Sequence, residues 1–290
     1  MNASNAHRIH LRAVEPQRNA TLQTIARTRS RADRLERLRQ LDAARPVRPV
    51  FCHRTALLVH GLPSLSPADD AIHMLAPGEH ASAANGVVRH PRRGDPPIVE
   101  VRGLLVTSVA RTVVDLAALT SFAGGVVAAD RALSRGPFAD RSPLCSRDEL
   151  EKETLWCEPS GRERARDVVR FADGRSESPL ESVSRVSLHF AGAPPPLLQV
   201  QLPDLLGVSA RLDFAWPELG IAGEADGSAK GVHPVMLRGR TTSEFLREQA
   251  QRERRIEAAG LRVMRWGWDT GRRVKRMKDL LVREGFPLTG

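Results

Sequence analysis

The sequence predicts an α/β protein: an α+β unit followed by a second unit of order α-βββ-α-β-α. Three observations carry this. Residues 50–107 hold short apolar runs broken by Pro and Gly, the pattern of strands and turns. Residues 108–174 hold helix-period patterns, and from residue 175 strand-like and helix-like stretches alternate. At 290 residues the chain exceeds one ordinary domain. It divides into a basic N-terminal segment (1–48), an α+β domain (49–174) and an α/β domain (175–290).

In TIARTRSRADRLERLRQLDAA, Ile25, Leu35, Leu38 and Leu41 recur at roughly helical spacing between arginines, which predicts a helix with a basic face. The first twenty residues read as disordered. HRTALLVHGLP is a short helix closed by Gly61 and Pro63. AIHMLAP, GVVRHP and PIVEVRGLLVTS read as strands separated by turns. SVARTVVDLAAL, FAGGVVAADRALSR, SRDELEKETL and GRERARDVVRFAD are helices, the third opened by a Ser146–Glu149 capping box.

The second unit begins at SPLESVSRVSLHFAG, with Ser178 as N-cap, Pro179 in the first turn and Glu181 three residues after the cap. LLQVQLP, SARLDFAWP and LGIAGEAD are strands. A helix spans about Thr241 to Gly260, then come the strand LRVMRWGW and the basic helix GRRVKRMKDLLVREG. On the long helix Phe245, Leu246, Ala250, Ile256 and Ala259 form an apolar arc that also contains Gln249, Arg252 and Glu253. Polar groups on such an arc need partners, and carboxylates of a neighbouring strand are candidates. Trp216, Trp266 and Trp268 read as core or hinge packing.

Composition narrows the class of function. Lys plus Arg number 44 against 34 Asp plus Glu, a net charge of +10. The excess sits at the two ends: residues 1–50 carry eleven Arg and four acids, and residues 232–290 carry twelve Arg, two Lys and seven acids. Basic ends point to a polyanionic partner, most simply nucleic acid, although an Arg-rich solvated surface accounts for the same count. The absence of Tyr and the 4% aromatic content argue against single-strand binding by base stacking. Cys52, Cys145 and Cys157 form no C-x-x-C pair, so they read as buried free thiols rather than a zinc or disulfide framework. His53 and His60 lie seven apart on one helix, nearly two turns, too far for a shared ion. No apolar run is long enough to span a membrane and the N-terminus lacks a signal-like stretch, so a cytoplasmic location without membrane association is expected.

The chemistry is expected in RLDFAWPELGIAGEADG, where carboxylates interrupt two strands. A short turn between the strands makes a hairpin, which sets Asp213 and Glu224 side by side. Two such carboxylates repel unless a cation lies between them. Mg²⁺ suits that position, bound by carboxylates and waters, and would serve phosphodiester hydrolysis. Glu224 and Asp226 share one strand face, and Lys230 lies just beyond. Each residue also has a plainer reading. Glu181 can act as a cap, Asp226-Gly227 as a turn, Lys230 as a solvated loop residue, Arg252 as a partner of Glu253 or another acid, and the acids as an outward edge pair.

RSESPLES, RLDFAWPE, GEADGSAKG, REQAQRERR and GLRVMRWGW, taken in this order, resemble the PD-(D/E)XK nuclease superfamily, and within it the domain family 559 related to very-short-patch-repair endonucleases. CHRTALLVHGLP and VTSVARTVVDLAAL resemble actinobacterial AbiEi-type antitoxin or regulator proteins. The resemblance implies an endonuclease-like hydrolase using Mg²⁺ or Mn²⁺. It implies Asp213, Glu224 and Asp226 at the metal, Glu181 as helix-borne acid, and Gln249 or Arg252 at the substrate. Asp226 stands where the superfamily carries the lysine of E-x-K, and Lys230 is the candidate substitute. DNA is the implied partner, with a cognate toxin as a further one. The alternative is a catalytically degenerate DNA-binding regulator or antitoxin-like protein. The sequence assigns no oligomeric state.

Overall fold

The computed structural model describes residues 30–66, 70–78, 80–136, 139–202, 210–226 and 241–289. The predicted disorder of the first twenty residues and Lys230 lie outside them. So does the side chain of Gln249, although its backbone is helical.

The chain begins with α1 (Arg31–Ala43), opened by a Ser30–Asp33 capping box. Its Leu35 and Leu38 are buried in one cluster with Phe51, Ala56, Val59, Ile72, Met74, Leu104 and Val106. The helical part of the basic N-terminal segment is therefore bound into the core of the α+β unit. Helix α2 (His53–His60) ends on Gly61, whose left-handed φ of 77° supplies the C-cap. Strands β1 (Ile72–Leu75), β2 (Ser82–Ala84) and β3 (Val87–His90) form a sheet of order β1-β3-β2, with β1 and β3 parallel. The stretch PIVEVRGLLVTS is a complete hairpin, β4 (Ile98–Val101) and β5 (Leu104–Thr107), turning on Arg102 and Gly103, both at positive φ. Phe51 bridges β1 to β5 and joins the two sheets.

Four helices come next: α3 (Val109–Leu119), α4 (Phe122–Leu133), α5 (Arg147–Glu153) and α6 (Arg162–Phe171). The Ser146–Glu149 capping box forms as predicted. Their apolar faces close one cluster that also takes in Val186 from α7 (Pro179–Phe190). Arg185 of α7 donates to Asp130 of α4 at 2.8 Å, with side-chain exposures of 9% and 1%. A buried ion pair and shared apolar packing thus cross the predicted boundary at residue 175.

Beyond α7 lie β6 (Leu197–Leu202), β7 (Ala210–Trp216), β8 (Ile221–Ala225), α8 (Thr242–Ala258), β9 (Arg262–Trp266), α9 (Trp268–Gly271) and α10 (Val274–Arg283). The four strands make a sheet of order β6-β7-β8-β9, antiparallel except for the β8–β9 pair. The β7–β8 hairpin turns through Pro217–Leu219 onto Gly220 at φ 62°. One cluster joins Leu198, Phe214, Trp216, Met264 and Trp266 to Leu188 of α7 and Met277 and Leu281 of α10. A second joins Leu212, Ala215 and Ala222 to Ile256 of α8. The overall class is mixed α/β. Among the described residues no helix is long and apolar enough to cross a membrane.

Two packing expectations are corrected and one holds. Trp268 is 42% exposed, because it opens α9 at the rim while Trp216 and Trp266 fill the core. Ala250 and Ala259 of the predicted apolar arc face solvent, and Ile256 anchors α8. All three cysteines are buried and free, as expected.

Candidate functional site

The sheet register assembles the site. Phe214 pairs with Gly223, and one further step of that register sets Asp213 opposite Glu224. Leu198 pairs with Phe214 and Val200 with Leu212, which sets Gln199 opposite Asp213. Glu224 pairs with Arg265 on the parallel neighbour. Gln199, Asp213, Glu224 and Arg265 therefore form one transverse row across all four strands. Gln199 adopts a left-handed φ of 54°, a backbone state rare for a side-chain-bearing residue.

Two side chains from helices reach this row. Glu181, in the first turn of α7, accepts through Oε2 from Gln199 Nε2 at 2.9 Å and from the Glu177 amide at 2.9 Å. Its Oε1 accepts from Ser178 Oγ at 2.7 Å. Ser178 caps the Glu181 amide in return, so the helix start uses Glu181, but its carboxylate bonds to residue 177 rather than to the N-cap amide. From α8, Arg252 Nη1 donates to Glu224 Oε2 at 2.6 Å, and Nη2 to the Arg211 carbonyl at 2.5 Å. This answers the expectation that a polar residue on that arc meets a strand carboxylate. The partner is Glu224, not Glu253, whose own ion pair is with Arg265 at 3.0 Å.

Burial and mutual repulsion dominate the electrostatics. Burial pushes the Glu181 carboxyl up to about 7, the charge of Asp213 adds to the rise, and the bonds from Glu177 and Ser178 oppose it. Asp213 is raised by burial against the pull of the Ala225 amide, Arg252, Arg211 and Gln199. Glu224 is raised by burial, lowered by Arg252 and raised again by Asp213. Asp213 Oδ2 accepts from the Ala225 amide at 3.0 Å, which fixes the carboxylate across the hairpin. Two buried oxygens on the row, Gln199 Oε1 and Glu224 Oε1, have no hydrogen-bond partner among the described residues. Each orphan costs about 1–3 kcal/mol, more when charged.

Both orphaned atoms are hard oxygens, the donor type that Mg²⁺ and Mn²⁺ take. Asp226 lies at the end of β8, half-buried, its amide donating to the Trp266 carbonyl at 2.9 Å. Sequence reasoning missed Gln199, because a glutamine in LLQVQLP looks like any solvent-facing strand residue. It also missed Glu177 and Arg211, which form an ion pair beside Glu181 and Asp213. Glu177, Gln199 and Arg211 open onto a groove of about 850 Å³ between the two halves of the chain, also lined by Arg135 and Arg175.

The chain is 34% identical over 220 residues to Uncharacterized protein Rv2248 of Mycobacterium tuberculosis, covering 74% of this chain and 77% of the relative. Uncharacterized protein MT2308, from a second strain, matches with the same identity and coverage. The chain belongs to the family of these proteins. No known family model matches it. No solved structure matches it. The names of these two relatives state no activity.

Proposed function

We propose that the Gln199–Asp213–Glu224 row holds a divalent cation, Mg²⁺ or Mn²⁺, and that the protein hydrolyses nucleic-acid phosphodiesters with a PD-(D/E)XK-like C-terminal half. The observation that carries this reading is the pair of orphaned buried oxygens, Gln199 Oε1 and Glu224 Oε1, on either side of Asp213. A cation bound there would lower the pKa of a coordinated water and offset charge on a phosphate oxygen. The chain's own residues supply the remaining parts. Glu181 titrates near neutrality, as a group that holds or takes a proton at working pH must. Gln199 Nε2 ties Glu181 to the row. Arg135, Arg175 and Arg211 line the adjoining groove together with Asp173 and Glu177, which pair with Arg175 and Arg211, and the arginine in excess suits a phosphate backbone. The basic ends of the chain give the same preference at longer range.

One observation favours a second reading. Arg252 already places a cation on Glu224 Oε2, and Asp226 occupies the position expected of a lysine. An acid cluster neutralised by its own arginine suits a catalytically degenerate, DNA-binding regulator or antitoxin-like factor with a toxin partner. Incubation of the purified protein with DNA and RNA substrates in Mg²⁺ or Mn²⁺, beside Asp213→Asn, separates the two. Cutting lost in the variant supports hydrolysis. Salt-sensitive binding without cutting supports the regulator.

A further inference from the structure

A separate cluster lies in the first half of the chain, on residues that the acid row does not use. The segment Val50–Cys52 runs between β1 and β5: the Leu75 amide donates to the Val50 carbonyl at 2.8 Å, and the Cys52 amide to the His73 carbonyl at 3.1 Å. This sets Cys52 and His53, at the start of α2, beside β1. In the parallel β1–β3 register His90 pairs with Leu75 and His73 with Val88, so His73 and His90 share one face. The rings of His53 and His90 stack with centroids 3.6 Å apart, and His73 lies 5.1 Å from His90. His73 Nδ1 and His90 Nε2 are 2.9 Å apart, within hydrogen-bond distance.

We propose that Cys52, His53 and His90 form a binding site for a zinc-class divalent cation. Their ligand atoms all lie within 4.8 Å of one another. Tetrahedral Zn²⁺ holds S and N ligands at about 2.0–2.3 Å, so the three atoms close by roughly 1 Å to share an ion. His53 is 8% exposed, and its Nδ1 is buried with no hydrogen-bond partner among the described residues. A buried, unbonded imidazole nitrogen beside a buried thiol is costly without an ion and natural with one.

The surroundings favour this ion over Mg²⁺. Sulfur and imidazole are soft to borderline donors, the opposite of the oxygens on the acid row. The tautomer in which His90 Nε2–H donates to His73 leaves the lone pair on His90 Nδ1, the outer support that histidine ligands commonly receive. Arg111 does not supply a competing free charge. Its Nε bonds both oxygens of Asp115 at 2.9 Å, and its other nitrogens reach the carbonyls of Arg93 and Trp156. Binding releases one proton, from Cys52 Sγ, so the site gains a net single positive charge. His53 and His90 also line a cavity of about 560 Å³ with Arg93, Arg111, Asp115 and Glu158, which leaves an open side for a fourth ligand such as water or an anion.

Cobalt(II) titration of the metal-stripped full chain tests this. The expected result is one equivalent bound through sulfur, read from a near-ultraviolet thiolate-to-cobalt band that Zn²⁺ displaces; cobalt taken up by the oxygen-lined acid row adds no such band. Cys52→Ser removes the band, His90→Gln weakens binding by about tenfold or more, and Asp213→Asn and Cys157→Ser leave the band unchanged. A circular dichroism melt confirms that each variant is folded. The wild-type spectrum is decisive even if a variant fails to fold. No cobalt uptake by the wild type, or a band that survives Cys52→Ser, overturns the proposal.

Discussion

Arg252 Nη1 lies 2.6 Å from Oε2 of Glu224, while Oε1 of the same carboxylate has no hydrogen-bond partner among the described residues. Half of this buried group is neutralised by the chain and half is left over. Glu224 is 4% exposed, so losing Arg252 leaves its charge in the sheet with only the longer Arg265 contact, 3.8 Å from Oε2. Arg252→Ala is expected to lower stability by about 1.5–3 kcal/mol in metal-free buffer. Added Mn²⁺ is expected to recover part of that loss, because it takes over the vacated oxygen. Urea unfolding midpoints with and without Mn²⁺ measure both effects.

The second prediction concerns pH. The Glu181 carboxyl is raised from 4.5 to about 7 in the folded chain. The folded state then holds this proton more tightly than the unfolded one, so folding is penalised as pH rises from about 4.5 to about 7 and the penalty is constant above that. Glu181→Gln removes the titration. Its stability relative to wild type is expected to improve by up to about 3 kcal/mol between pH 4 and pH 8. A relative stability independent of pH contradicts the shift. Divalent ion affinity in the wild type is expected to climb over the same interval, as the proton leaves.

A third prediction tests the joint between the two halves. Asp130 is fully buried and is held by Arg185 at 2.8 Å and by the Asp173 amide at 2.7 Å. Asp130→Ala leaves the Arg185 guanidinium buried without its counter-charge and is expected to cost about 3–5 kcal/mol. The double variant Asp130→Ala/Arg185→Met is expected to regain a substantial part, since apolar packing replaces the pair. Chemical denaturation of the three proteins checks the order.

The fourth lies under the site. A Cβ on Gly223 would fall 2.8 Å from the Trp266 ring and 3.0 Å from that of Trp216, and both rings are buried. Gly223→Ala is expected to destabilise by about 1–3 kcal/mol and to tilt Glu224, its neighbour on β8. Thermal melts measure the first effect, and reduced divalent affinity the second.

Much of this was legible in the sequence, because the signals were local. Ser146–Glu149, Ser178–Pro179 and Gly61 mark helix ends through backbone chemistry that neighbouring residues decide. Asp213 and Glu224 stood out because acids are disfavoured in apolar strands, and a short turn fixes the register of a hairpin. Gln199 did not stand out, since its place opposite Asp213 depends on the β6–β7 pairing and on a positive φ that glutamine rarely adopts. The Cys52–His53–His90 group was hidden for a related reason. His90 is brought to the others by the parallel pairing of β1 and β3, a long-range register that spacing along the chain does not encode. His60, which spacing already set too far from His53 to share an ion, bonds the Thr107 carbonyl at 2.8 Å. Of the core and hinge readings of Trp268 the core one fails, because the start of α9 turns the ring outward, which its place next to a strand end does not reveal.

On the proposed reading a hard cation lies between Asp213 and Glu224. Electron paramagnetic resonance of Mn²⁺ titrated into the full chain at pH 8 tests it most directly, with Asp213→Asn and Cys52→Ser measured alongside. One bound Mn²⁺ that Mg²⁺ displaces is expected, lost in Asp213→Asn and kept in Cys52→Ser. A wild-type protein that leaves Mn²⁺ free in solution, or an Asp213→Asn variant that binds it equally well, would rule out a cation held by Asp213 and leave Arg252 as the cation that the row was built around.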